Sequence, residues 1–115
     1  MMITRYVVHV QQPWFDFIVE GKKIYEGRLN RGKFSEMKID DIVEWKNDDV
    51  IVITKIVEKF VFKSFHDMLS ILCLDKVLPE ITTISDGVDV YHEFYTRSDE
   101  LKYGVVAIRL EIINN

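Results

Sequence analysis

The stretch from Val50 to Phe62 reads VIVITKIVEKFVF, and it limits the fold more than any other segment. Its β-branched and aromatic residues favour extended backbone. Lys55 interrupts its apolar character and the run is far too short to span a bilayer, so it is read as a long strand with a bend near Glu58–Lys59. A strand of this length needs partners, and the chain supplies them. Ile3–Val10, Lys23–Leu29 and Asp41–Trp45 also read as strands. Gly104–Ile112 is almost continuously apolar, as a strand covered on both faces would be.

Helices are fewer. Pro13 is placed to start one in which Trp14, Phe17 and Ile18 fall on one face, and Gly21 ends it. Ser64 and Asp67 resemble a capping box before a helix burying Phe65, Met68, Leu69 and Leu72. Ser85–Asp86 is expected to cap a second helix, with Val88, Tyr91, Phe94 and Tyr95 as its buried stripe. Asn30–Met37 reads as a loop, and Ser98–Glu100 as a solvated turn. The order is β-α-β-β-β-α-α-β. It fits an α+β fold, a small and mostly antiparallel barrel with flanking helices, and one domain over residues 1–115.

Composition narrows the function. A single cysteine, Cys73, excludes an internal disulfide and a cysteine-built zinc cage, and it is expected in the core. His9, His66 and His92 have no metal-type spacing, so neither metal nor cofactor is expected. The N-terminus lacks a signal-peptide cleavage pattern, which suggests a cytoplasmic protein without a membrane partner. The formal charge is −4, which argues against a general coat for polyanions. Yet Lys22–Lys38 holds six basic residues and two acidic ones, leaving −8 on the remainder. Such a segment can draw phosphate locally. Within it, Lys23, Glu26 and Arg28 bring mixed charge to one place, with Glu26 and Arg28 on one strand face.

QQPWFDFIVEGKKIYEGRL resembles the N-terminal signature of ASCH domains, a branch of the PUA-like superfamily, with its G-x-K-T-x-E-x-R-L pattern. KIDDIVEW, SFHDMLS and YHEFYTRSDELKYGVVAIRL resemble later motifs of that family, in the same order, from about Val7 to Leu110. The resemblance implies a pseudo-barrel that binds RNA, with Lys23, Glu26 and Arg28 lining a cleft. Single-stranded RNA is the implied partner, because unstacked bases can enter a pocket. Asn30, Arg31 and Lys33 would extend the phosphate path, and Tyr103 would border the cleft. A small nucleoside is the alternative ligand. One bacterial group with this signature is an amidohydrolase acting on N4-acetylcytidine, and some members are described as ribonucleases. If this chain were an enzyme, Lys23 and Glu26 would be its catalytic pair, with Glu80 or Glu93 near the family's acid. The threonine nucleophile of the amidohydrolases is absent, since Glu26 stands in its place and no Ser, Thr or Cys lies between Lys23 and Arg28.

Overall fold

A computed structural model describes residues 2–113. Five strands form one mixed sheet, β1 (Arg5–His9), β2 (Tyr25–Leu29), β3 (Ile42–Asn47), β4 (Val50–Phe62) and β5 (Val105–Ile112). Their spatial order is β1-β3-β4-β5-β2. β1 runs parallel to β3, and the other pairings are antiparallel. The sheet curls into a half-barrel with helices packed around it, an α+β fold as expected.

β4 makes that curl possible. Its first half pairs with β3 and its second with β5, and the register slips between Ile56 and Glu58. A bulge of this kind bends a strand and increases its twist. It lies one residue from the bend anticipated at Glu58–Lys59.

β5 is covered on both faces. Val106, Ile108 and Leu110 join Val8, Val43, Trp45 and Ile56 in one apolar cluster. Val105 and Ala107 face a second cluster built from α3 (Phe65–Leu72) and α5 (Ile84–His92). Trp45 is wholly buried, and its indole N–H donates to Thr54 Oγ1 at 2.8 Å. The four apolar residues expected along α3 are all buried, and Ser64 caps it by accepting from the Asp67 N–H.

Six helical segments replace the three expected. α2 (Gly32–Glu36), α4 (Leu74–Val77) and α6 (Arg97–Tyr103) accompany α1 (Trp14–Val19), α3 and α5. α2 and α6 lack apolar residues at helical spacing, and α4 is a single turn. α2 therefore corrects the loop expected over Asn30–Met37. Thr83, not Ser85, caps α5 by accepting from the Asp86 N–H. Phe94 lies beyond the end of α5 and is 52% exposed, outside the stripe assigned to it.

α6 also corrects the solvated turn at Ser98–Glu100. Glu100 is buried; one carboxylate oxygen lies 2.7 Å from His92 Nε2 and the other accepts the Phe65 N–H at 2.7 Å. It ties α6 to the start of α3 and the end of α5. Cys73 is exposed between α3 and α4, with φ +74°, which corrects its core placement. Among the described residues no helix is long and apolar enough to cross a membrane.

Candidate functional site

The turn after α1 creates the site. Gly21 adopts φ +77°, a left-handed conformation open to glycine at little steric cost. The N–H groups of Lys22 and Lys23 then both donate to the Phe17 carbonyl. The chain folds back, and the Ile24 N–H reaches the Lys76 carbonyl of α4. This draws Lys23 between α1 and α4, where it is 2% exposed.

Lys23 is committed to local partners. Its ammonium donates to the carbonyls of Tyr25 at 2.8 Å and Val77 at 2.5 Å, and lies 3.4 Å from Glu26 Oε1. Two of the ammonium's three donors are taken by backbone carbonyls, and Glu26 is its counter-charge. Glu26 is 5% exposed, and its other oxygen lies 3.5 Å from the Arg28 guanidinium. Arg28 also lies over the Phe34 ring, 4.8 Å from its centroid.

Burial and charge oppose one another in this triad. Burial lowers the Lys23 pKa below the usual lysine value, although Glu26 pulls it back up. Burial works to raise Glu26, but Lys23 and Arg28 outweigh it and hold the carboxyl below its ordinary range. Burial likewise works against the Arg28 charge, and Glu26 more than restores it. Glu26 is thus an anion able to accept hydrogen bonds only, and Arg28 a cation able only to donate.

A cavity of about 170 Å³ opens over these groups. Lys23, Glu26 and Arg28 line it from one side, Trp14 from α1, and Tyr91 and Tyr95 from α5 and the residues after it. Gly27 completes the lining. A Cβ there would fall 2.5 Å from Met68 Sδ, so the flexible end of the Met68 side chain would have to move aside for a larger residue.

The other predicted site residues lie outside the cavity lining. The Asn30 N–H donates to the Gly104 carbonyl, just past β2. Arg31 pairs with Asp99 at 3.5 Å and lies over the Tyr103 ring at 5.3 Å, close enough to Tyr95 to act on its hydroxyl. Lys33 donates to the Val7 carbonyl. Glu80 and Glu93 are exposed and do not reach the cavity. Trp14, placed by its spacing on the apolar face of α1, is half-buried where the two apolar clusters meet, and also lines the cavity.

The tyrosines were missed as site residues because their i, i+4 spacing also satisfies a core stripe. The signal was the residue type. A core stripe is usually Leu, Phe or Met, whereas a buried tyrosine needs a partner for its hydroxyl. Among the described residues no three His, Cys, Asp or Glu side chains gather to hold a metal ion.

The family model of the ASCH domain matches residues 8–114. The chain belongs to the ASCH domain family. The crystal structure of hypothetical protein PH0355 is similar to it, with 35% identity, a TM-score of 0.90, and coverage of 96% of this chain and all of that one. The solution NMR structure of protein PF0455 from Pyrococcus furiosus is 31% identical, with a TM-score of 0.82, covering 97% of this chain and all of that one. No curated protein matches the sequence. The ASCH family is generally linked to RNA binding, and in this member Lys23, Glu26 and Arg28 come together at one cavity.

Proposed function

We propose that this ASCH domain, acting as one unit over residues 1–115, binds single-stranded RNA in the cytoplasm by taking one unstacked base into the Glu26–Arg28 cavity. One observation carries the reading: a buried carboxylate and the part-buried guanidinium paired with it form one side of a small cavity with aromatic walls. Unstacked bases are recognised by aromatic stacking together with hydrogen bonds to the base edge, and this site offers both. Arg28 is the donor to a base or phosphate, Glu26 the acceptor, and Lys23 the buried cation that positions Glu26. Arg31, with Lys33 beyond it, continues the positive path for the backbone outside the cavity.

The test is a titration of fluorescent RNA, single-stranded and duplex, with wild type and Arg28→Ala at low and physiological salt. Binding is expected to be roughly micromolar, to weaken with salt because few cations meet phosphate, and to fall at least ~10-fold in Arg28→Ala. Unchanged affinity in Arg28→Ala would remove the cavity from the reading. The same samples on a denaturing gel separate binding from chemistry. Cleaved RNA would make Glu26 a general base and the protein a ribonuclease. No RNA binding, with turnover of an acylated cytidine, would make the ligand a free nucleoside.

A further inference from the structure

Phe94 stands at the mouth of the cavity with nothing of the protein against its ring. It is 52% exposed, and of the exposed large apolar side chains among the described residues it alone lines the cavity. It belongs to neither apolar cluster and is not packed against one. Trp14, Tyr91 and Tyr95, the other large aromatic side chains of the lining, each have a ring partner, Phe17 for Trp14 and Phe65 for both tyrosines. Among the described residues no ring or cation lies against Phe94. Its backbone is fixed all the same. The N–H groups of Phe94 and Tyr95 both donate to the Tyr91 carbonyl at 3.0 Å, and the residues on either side are anchored, Tyr91 and Tyr95 by stacking on Phe65 and His92 by Glu100 of α6. The mount keeps the ring at the opening, where a flat partner would take its apolar face out of water.

Charge decides what kind of partner that is. Arg28 and Arg31 both act on the Tyr95 phenol, so positive charge lies on the Tyr95 side. Glu93, next to Phe94 in the chain, is exposed and acidic. Phosphate is favoured along the arginines, and the uncharged face of Phe94 is left to a base. We propose that Phe94 is the stacking platform for the nucleotide next to the one seated in the cavity. This rests on the RNA reading above, and it concerns the strand outside the cavity, not the choice of base within it. Every base has a π-face, so stacking on Phe94 adds affinity without adding sequence preference. It also favours a strand over a free nucleotide. A single nucleotide fills the cavity and leaves Phe94 in water, whereas a strand covers both.

The experiment uses fluorescein-labelled RNA pentamers of uridine and of adenosine, each beside a counterpart in which only the central nucleotide keeps its base and the other four are abasic. The counterpart has the same phosphates and nothing to stack on Phe94. Wild type, Phe94→Ala, Phe94→Trp and Arg28→Ala are titrated with each, and their melting temperatures are measured. Wild type should bind a full pentamer at least ~10-fold more tightly than its single-base counterpart. Phe94→Ala should lose that margin on the full pentamer and nothing on the counterpart. Phe94→Trp, which keeps an aromatic face, should retain the margin, and neither substitution should lower the melting temperature. Equal binding of full and single-base pentamers by wild type would overturn the inference. So would equal losses on both in Phe94→Ala, which would make the ring a cavity wall only, or a lower melting temperature, which would make it part of the fold. If wild type binds no pentamer of either base, the RNA reading falls and takes this one with it. If binding depends on Arg28 but not on Phe94, only this inference fails.

Discussion

Opposite Ile108 of β5 stands Glu26 of β2, and opposite Val106 stands Arg28. Directly opposed residues of an antiparallel pair share a face, so these two neighbouring strands present opposite chemistry to the same side of the sheet. The difference comes from their places in it. β5 lies between β4 and β2, with apolar clusters against both faces along Val105–Ile108, and its charge begins only at Arg109, where the strand is exposed and the guanidinium pairs with Glu58. β2 is an edge strand reached by the chain as it turns back from α1, so Lys23 can approach Glu26 from outside the ladder. The edge tolerates buried charge because the charges arrive together.

Three substitutions or titrations would break or sharpen that contrast. The largest effect belongs to Glu26→Ala, which leaves Lys23 buried without its counter-charge. Removing one partner of a buried pair costs about 3–5 kcal/mol, read as a lower urea midpoint. A change within about 0.5 kcal/mol would mean that the carboxylate belongs to the ligand and not to the fold.

Acid should act more gradually through the same residue. The Glu26 pKa is lower in the folded chain than its ordinary value of 4.5. The native state therefore binds fewer protons than the unfolded state. The stability this supplies is complete above the unfolded value and is lost as pH falls through it towards the folded one. Denaturation midpoints measured from neutral pH downwards should decline below about pH 4.5. Glu26→Gln should lack that component, and parallel profiles for the two proteins would remove Glu26 from the acid response.

The smallest effect is across the ladder. Ile108→Val removes one methylene from a wholly buried site and should cost about 0.5–1.5 kcal/mol. RNA affinity should not move, because Ile108 does not line the cavity. A shift in affinity without a larger loss of stability would show that the apolar face of β5 helps to set the position of Glu26.

The legible parts of this protein were those with a strong period or an unbroken apolar run. β5 shows two covered faces in its composition, and the buried face of α3 follows from Phe65, Met68, Leu69 and Leu72. The G-x-K-x-x-E-x-R spacing by itself brings Lys23, Glu26 and Arg28 to one place. α2 and α6 were illegible because GKFSE and RSDELKY carry no apolar residues at helical spacing, whereas Trp14, Phe17 and Ile18 marked the equally short α1. Glu100 read as a surface acid because its partners are distant in the chain, with the Phe65 N–H it accepts lying 35 residues away.

The sequence by itself determined the strand-rich α+β class, the family and the grouping of the charged triad, because these depend on local alternation and spacing. Tertiary structure alone decided that Lys23 is sealed among backbone carbonyls, that the end of Met68 packs against Gly27, and that the Tyr91 hydroxyl is buried without a partner. Each of these depends on what a second, distant element places against the residue, and spacing along one strand holds no record of that.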